Sequence, residues 1–322
     1  MRKIRWGVMG TADIARGQTI RGMQLAENCE LDAVAGRRME KAEEFRREFG
    51  FRKAYEGYDA LLADPEVEAV YIPLPNHLHA EWSIRALEAG KHVLCEKPLA
   101  LNEAEAERMF RAAEENGVFL MEAYAYLHNP LVAAVKAELD AGAVGEVRYI
   151  DSAFIAGRRP DTDIRMVKEY GGGAQYDLGC YPVSMILWLT GREPEEVRGS
   201  AYFSERGVDL ETSVLMKFSG GITAEAACAM VPGIGRLDRL HVMGTEGELH
   251  SPFWFNQPGE IAYTVIRGGK AETKTVTAKN NYQLEVEQLG RCIADGEKPH
   301  VSKEFSLRAA RTTDRLLKAI GY

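Results

Sequence analysis

The most chemically pointed stretch of the chain is Lys91 to Pro98, KHVLCEKP. Val93, Leu94 and Cys95 read as the end of a short buried strand bounded by Gly90 and Pro98. Glu96 and Lys97 follow where such a strand leaves the core, and in an open α/β sheet ligands bind outside the carboxyl ends of the strands. A carboxylate and an ammonium there, with Lys97 stiffened by the proline after it, are well placed for chemistry; the same pair on a surface turn would be ordinary. A second pair is Asp177 and Tyr181, in the apolar run Gln175 to Leu189 that follows Gly171-Gly172-Gly173. On a helix, residues four apart share a face, so a carboxylate and a phenol would point the same way. The alternative is a helix-start Asp favoured by the dipole and a core Tyr with a satisfied hydroxyl.

A third constellation lies near the start. Lys3 to Met9 reads as a strand running into Gly10-Thr11-Ala12-Asp13-Ile14-Ala15 and a helix to about Ala26. This is the dinucleotide fingerprint G-x-G-x-x-G/A with alanine at its second and third positions. The first glycine allows the tight turn, and alanine can serve at the third, where helix packs on strand. Ala12 adds a methyl where backbone approaches a pyrophosphate, so the fit there is looser. The next strand, Glu30 to Ala35, ends in Gly36-Arg37-Arg38 with no acid to hold a ribose 2′-hydroxyl. Two cations at a helix start oppose the macrodipole, and a bound 2′-phosphate would account for them. The pattern therefore favours NADP(H) over NAD(H).

The elements that must position these residues alternate regularly. A helix at Met39 to Phe49, an extended piece near Ala54 and a helical turn at Tyr58 to Ala63 lead to a strand at Val67 to Pro73. A helix at His77 to Ala89, the Val93 strand, a helix at Asn102 to Asn116 and a strand at Val118 to Met121 come next. That alternation specifies a doubly wound parallel sheet. With 322 residues, two domains are expected, divided at 1–123 and 124–322. A net charge of −8 gives no support for a nucleic-acid or anionic-membrane partner. No apolar run reaches bilayer length, and the start turns glycine-rich too early for a signal peptide. Five cysteines without a CxxC pair fit reduced thiols in a cytoplasmic protein, with no metal site expected.

Taken together, Gly7-x-x-Gly10-x-Ala12-x-Ile14-Ala15, Leu74-Pro75-Asn76-x-x-His79, Glu96-Lys97-Pro98 and Gly171-Gly172-Gly173-Ala174-x-x-Asp177-x-Gly179-x-Tyr181-Pro182 resemble the glucose–fructose oxidoreductase / inositol dehydrogenase / MocA (Gfo/Idh/MocA) family. The Glu122-Ala123-Tyr124 run and Tyr181 resemble its dimeric dihydrodiol dehydrogenase and NADP-dependent xylose dehydrogenase branch. The resemblance implies a Rossmann domain followed by an α+β domain with an open, largely antiparallel sheet. It further implies NAD(P)-linked oxidation or reduction of sugars, cyclitols or related diols, and a cis Lys97–Pro98 bond. Two departures stand out: Leu74 replaces a frequent threonine, and Tyr181 stands where many relatives have histidine.

The second half agrees with that expectation. A helix at Pro130 to Ala141 and a strand at Glu146 to Ala156 precede a strand-rich run from Val197 to Thr277, punctuated by Ser219-Gly220-Gly221 and Gly268-Gly269. Helices return at Tyr282 to Ala294 and Phe305 to Ile320. One face of so broad a sheet needs cover, which a second copy in a dimer or tetramer could supply.

The resemblance assigns roles residue by residue. Tyr181 is the general acid/base, Lys97 lowers the phenol's pKa from its usual value near 10, and Asp177 orients the substrate hydroxyl or holds Lys97. Gly10, Thr11, Ala12, Asp13, Ile14, Arg37, Arg38, Leu74, Pro75, Asn76, His79, Glu96, Lys97, Arg165 and Tyr282 are the cofactor-side residues. Glu96 is expected near the nicotinamide ribose and Tyr282 near the nicotinamide end, while His79 could instead cap its own helix. Two other functions compete: a non-catalytic NADPH-binding regulator, which needs no proton-transfer residue, and an NAD-dependent glycosidase, which the arginine pair disfavours.

Overall fold

Burial pattern separates the strands into two kinds, and each kind builds its own sheet. The computed structural model describes residues 2–157, 159–231, 235–251 and 255–322. β1 (Ile4–Met9), β2 (Cys29–Gly36), β3 (Lys53–Glu56), β4 (Ala69–Ile72), β5 (His92–Glu96) and β6 (Leu120–Ala123) form a parallel sheet in the order β3-β2-β1-β4-β5-β6. Ala69, Val70, Tyr71 and Ile72 are fully buried, and so are Val93, Leu94 and Cys95. Strands covered on both faces read as continuous apolar runs, as parallel sheets require. Each large apolar side chain so buried stabilises the fold by about 1.5–3 kcal/mol. The helices between them are α1 (Ile20–Leu25), α2 (Met39–Phe49), α3 (Tyr58–Leu62), α4 (His79–Glu88) and α5 (Glu103–Glu115).

Local chemistry explains where these helices begin. The Asn102 side chain accepts from Glu105 N, and Glu105 Oε2 accepts from Leu101 N, a reciprocal cap that starts α5. α6 (Pro130–Asp140) starts with Asn129 as its cap and Pro130 in the first turn, where a missing N–H is harmless.

The second sheet holds β7 (Val147–Gly157), β8 (Glu196–Phe203), β9 (Asp209–Phe218), β10 (Ile222–Val231), β11 (Leu237–Gly244), β12 (Gly247–Ser251), β13 (Gly259–Arg267) and β14 (Lys270–Ala278). Its order is β14-β13-β12-β11-β7-β10-β9-β8, with every pair antiparallel except β7 with β10. Two meanders thus flank β7, the domain's first strand. In β9, Leu210, Thr212, Val214, Met216 and Phe218 are buried while Glu211, Ser213, Leu215 and Lys217 are exposed. This period of two marks a sheet with one covered and one open face. α7 (Cys180–Thr190) packs on β7 and β10.

The chain divides into two compact units, residues 1–128 with 280–306, and 129–279 with 307–322. α8 (Asn281–Asp295) therefore belongs with the parallel sheet, although a linear boundary at 123/124 assigns it to the second domain. A Cβ placed on Gly22 of α1 would meet Tyr282 Cβ at 2.6 Å, so the glycine lets α1 and α8 pack closely. α9 (Lys303–Ile320) spans both units. All five cysteines are free and buried. Among the described residues, no helix is long and apolar enough to cross a membrane, and no cluster of three or more His, Cys, Asp or Glu could hold a metal.

Candidate active site

In the first unit, strand order reverses between β1 and β4, the topological switch point at which such sheets bind ligands. Gly10 ends β1 at φ +125° and donates its N–H to Ala35 O at 2.8 Å. A Cβ on Gly10 would meet Leu74 Cδ2 at 3.1 Å, so the turn after β1 and the loop after β4 line one crevice. Thr11 Cγ2 would lie 3.4 Å from a Cβ on Gly36, which sets the turn against the end of β2, where Arg37 and Arg38 are exposed. Ala12, Asp13 and Ile14 come next, and Asp13 is exposed. This glycine cradle and its cationic rim fit a dinucleotide with a phosphorylated ribose. The segment Ala15–Thr19 that enters α1 is π-helical, an irregularity frequent at functional sites.

β5 delivers Glu96 and Lys97 one strand further along. Tyr71 OH donates to Glu96 Oε1 at 2.5 Å and lies 2.9 Å from Thr19 Oγ1, while Lys97 N donates to Glu96 Oε2 at 3.3 Å. Glu96 is thus buried but satisfied on both oxygens. Near it, Glu285 of α8 is fully buried; burial and then the Glu96 charge raise its pKa well above the usual carboxyl range. Tyr282 is buried one turn earlier on the same helix. The Lys97–Pro98 peptide is cis, Lys97 is half-buried, and Leu74, Pro75 and Asn76 form the loop after β4. His79 does not cap α4. It is fully buried, with Nδ1 2.8 Å from Pro98 O and Nε2 2.7 Å from Leu74 O. A neutral ring can donate to only one of these carbonyls; burial holds the pKa down to about 4, so the doubly donating imidazolium forms only in acid.

The second unit carries Asp177 and Tyr181. Residues Gln175–Gly179 form a π-helical turn that runs directly into α7, so the expected regular helix is widened where Asp177 sits. Asp177 Oδ2 pairs with Arg165 Nε at 2.8 Å, and Asp163 Oδ1 holds the same guanidinium at 3.2 Å. Two carboxylates outweigh burial and raise the Arg165 pKa further, so the cation is permanent. The glycine run explains how these segments meet. Gly173 has φ +101°, donates to Arg165 O at 2.8 Å, and would drive a Cβ to 2.1 Å from Asp209 Oδ1. Asp209 is buried and accepts from Gln175 N at 2.8 Å and Thr212 Oγ1 at 2.7 Å. Tyr322 OH donates to Gly172 O at 2.8 Å. The Tyr181 ring lies in an aromatic cluster, 5.2 Å from both Phe154 and Phe255.

Sequence reasoning singled out Glu96, Lys97, Asp177, Tyr181 and Arg165, used Glu122 only as part of the branch resemblance, and gave no part to Tyr71, Asp209 or Glu285. Tyr71 lies within the apolar run of β4, while Asp209 and Glu285 stand among other polar residues, and such positions carry no local signal until their partners are known.

Residues 4–124 match the oxidoreductase family with an NAD-binding Rossmann fold, and residues 132–250 match the Gfo/Idh/MocA C-terminal domain. The chain belongs to the Gfo/Idh/MocA family of NAD(P)-dependent oxidoreductases. It is 35% identical to D-xylose 1-dehydrogenase (NADP+) 2 of Haloferax volcanii over 98% of this chain and 96% of that one. It is 32% identical to trans-1,2-dihydrobenzene-1,2-diol dehydrogenase of Xenopus laevis over 98% of each. A solved 3-ketoreductase from Actinomadura kijaniata, in complex with NADP and TDP-benzene, superposes with a TM-score of 0.93 at 34% identity, covering 99% of this chain and 98% of that one.

Proposed function

We propose that the chain transfers a hydride between NADP(H) and a sugar, cyclitol or related diol, with Tyr181 as general acid/base assisted by Lys97. The observation that carries this reading is Lys97 leaving the carboxyl end of β5, beside the Gly10–Leu74 crevice, on a loop tied down by buried side chains. Gly10 to Ile14 offer backbone to the pyrophosphate, and Arg37 with Arg38 take the 2′-phosphate. Leu74 to Asn76, Glu96 and Tyr282 line the nicotinamide half, and Arg165 serves the site through Asp177. The nicotinamide, when bound, gives or takes the hydride. Tyr181 takes the proton from the substrate hydroxyl during oxidation and returns it during reduction. The Lys97 ammonium favours the phenolate and so makes Tyr181 a competent base near neutrality. Asp177, held by Arg165, accepts from the substrate hydroxyl and orients it.

Two further readings are less well supported. A regulator that only binds NADPH has no use for the Lys97, Asp177 and Tyr181 set. An NAD-dependent glycosidase holds and recycles its cofactor, whereas Arg37 and Arg38 suit an exchanging NADP. The test is the reduced-nicotinamide absorbance with NADP and a panel of pentoses, hexoses and trans-dihydrodiols. Steady turnover that Lys97→Met lowers far more than it lowers NADP affinity supports the assignment; an unchanged turnover number refutes the role of Lys97. Cleavage of an aryl glycoside without net reduction would favour the glycosidase.

A further inference from the structure

The Pro98–Leu99 peptide group, one residue beyond Lys97, is held at its carbonyl and at its N–H by side chains from different elements. Pro98 O lies 2.8 Å from His79 Nδ1, at the first turn of α4. Leu99 N donates to Glu122 Oε1 at 2.9 Å, and Glu122 stands on β6 opposite Cys95 of β5. The second nitrogen of His79 reaches Leu74 O at 2.7 Å, so one ring spans the loops after β4 and β5. Both side chains are buried, with relative exposures of 0% for His79 and 2% for Glu122.

We propose that His79 and Glu122 are positioning residues for Lys97, gripping the Pro98 carbonyl and the Leu99 N–H so that the lysine leaves the sheet edge in a single direction. His79, expected to face the cofactor, acts instead through the backbone it holds. Burying a titratable group is unfavourable unless it is hydrogen-bonded, and an apolar pair of similar volume would fill this space without that penalty. Hydrogen bonds add direction, which apolar packing does not. Both groups also feel the Lys97 charge. Burial pushes Glu122 up to about 7, against the Ser306 and Tyr124 hydroxyls, the Leu99 N–H and the Lys97 charge, and the same charge adds to the burial that lowers His79.

The inference rests on the role proposed for Lys97, but the grip on its loop can be measured separately. The experiment compares Glu122→Val, Glu122→Gln, His79→Phe and His79→Gln with the unaltered protein in three ways. NADP affinity is taken by calorimetry, kcat with the best diol or sugar, and Lys97 amine reactivity by trace acetic-anhydride labelling read by peptide mass. Glu122→Val and His79→Phe should lower kcat by about ten- to a hundredfold, the order expected for a misplaced catalytic group. Both should change the labelling rate of Lys97 but not of the exposed Lys3 before β1, and Glu122→Val, which leaves the Leu74 loop untouched, should keep NADP affinity nearly as it was. Glu122→Gln keeps the acceptor for Leu99 N and should restore both kcat and the labelling rate. If Glu122→Val or His79→Phe does not fold, His79→Gln carries the test and must shift Lys97 labelling in the same direction. Unchanged Lys97 labelling in the folded variants overturns the inference, whatever happens to kcat. An active Lys97→Met would remove the catalytic role of the lysine while leaving a labelling shift intact, so the two failures are distinguishable.

Discussion

Tyr181 and Lys97 illustrate how little a residue's identity says without its surroundings. A phenol is a poor base at neutral pH and an exposed ammonium does little, so their chemistry depends on placement. Tyr181→Phe should lower kcat by about 10²–10⁴-fold with NADP affinity retained, measured by single-turnover absorbance and calorimetry. Arg37→Ala with Arg38→Ala should weaken NADP by about tenfold or more while barely affecting NAD, since each charge-assisted contact to the extra phosphate contributes about 1.5–3 kcal/mol. Glu122 makes a separate prediction for stability. Its folded pKa is raised to about 7 from 4.5, so its contribution is fully present below pH 4.5 and lost as pH rises through 7. Glu122→Gln removes that titration and should flatten the decline in unfolding free energy between pH 5 and 8 by up to about 3 kcal/mol, read from urea melts at each pH. His79, depressed to about 4 from 6.5, has the opposite sign: its contribution is present above pH 6.5 and is lost as pH falls towards 4.

At the scale of elements, both functional segments depart from regular helix at the place where chemistry is expected. Ala15–Thr19 and Gln175–Gly179 are π-helical turns, each entered from a glycine-bearing loop and each running into an α-helix. The glycines were legible as turn signals, and Gly171-Gly172-Gly173 as the entrance to the Asp177 helix. Their packing partner was not legible: Asp209 is distant in sequence, and an acid at a strand start has many ordinary explanations. Gly173→Ala forces an L-residue to φ +101° and sets a methyl against Asp209, which would release Gln175 N from its acceptor. The expected loss is about 1–3 kcal/mol from the backbone conformation alone. It should be seen as a lowered melting midpoint together with reduced activity at temperatures where the variant is still folded.

For the whole molecule, the second sheet's open face is the feature that invites a partner. Across β8 to β12 it carries Tyr202, Arg198, Leu215, Glu225, Asp151, Arg239, His241 and Met243, with an ion pair at Arg239–Asp151 and a hydrogen bond between His241 Nε2 and Glu248 Oε2 at 2.7 Å. Tyr202, Leu215 and Met243 are large apolar side chains left 65%, 39% and 38% exposed, and exposed apolar area of this kind marks association surfaces. We propose that the chain forms a dimer or tetramer through this face. Leu215→Glu, which adds a charge to an exposed strand position, should shift sedimentation towards the monomer without altering NADP affinity; an unchanged sedimentation coefficient would locate the interface elsewhere.

Much of the protein could be read from its sequence because the signals are local. Continuous apolar runs in β4 and β5 specify a parallel sheet buried on both faces, alternation in β9 specifies a half-open one, and motif order identifies the family. Features that depend on contacts distant along the chain were decided only by the tertiary fold: the return of α8 to the first unit, the Asp177–Arg165 pair, and His79 turned inward onto two carbonyls. A buried polar side chain is determined by whichever partner the fold brings to it, and that partner leaves no trace in the residues on either side.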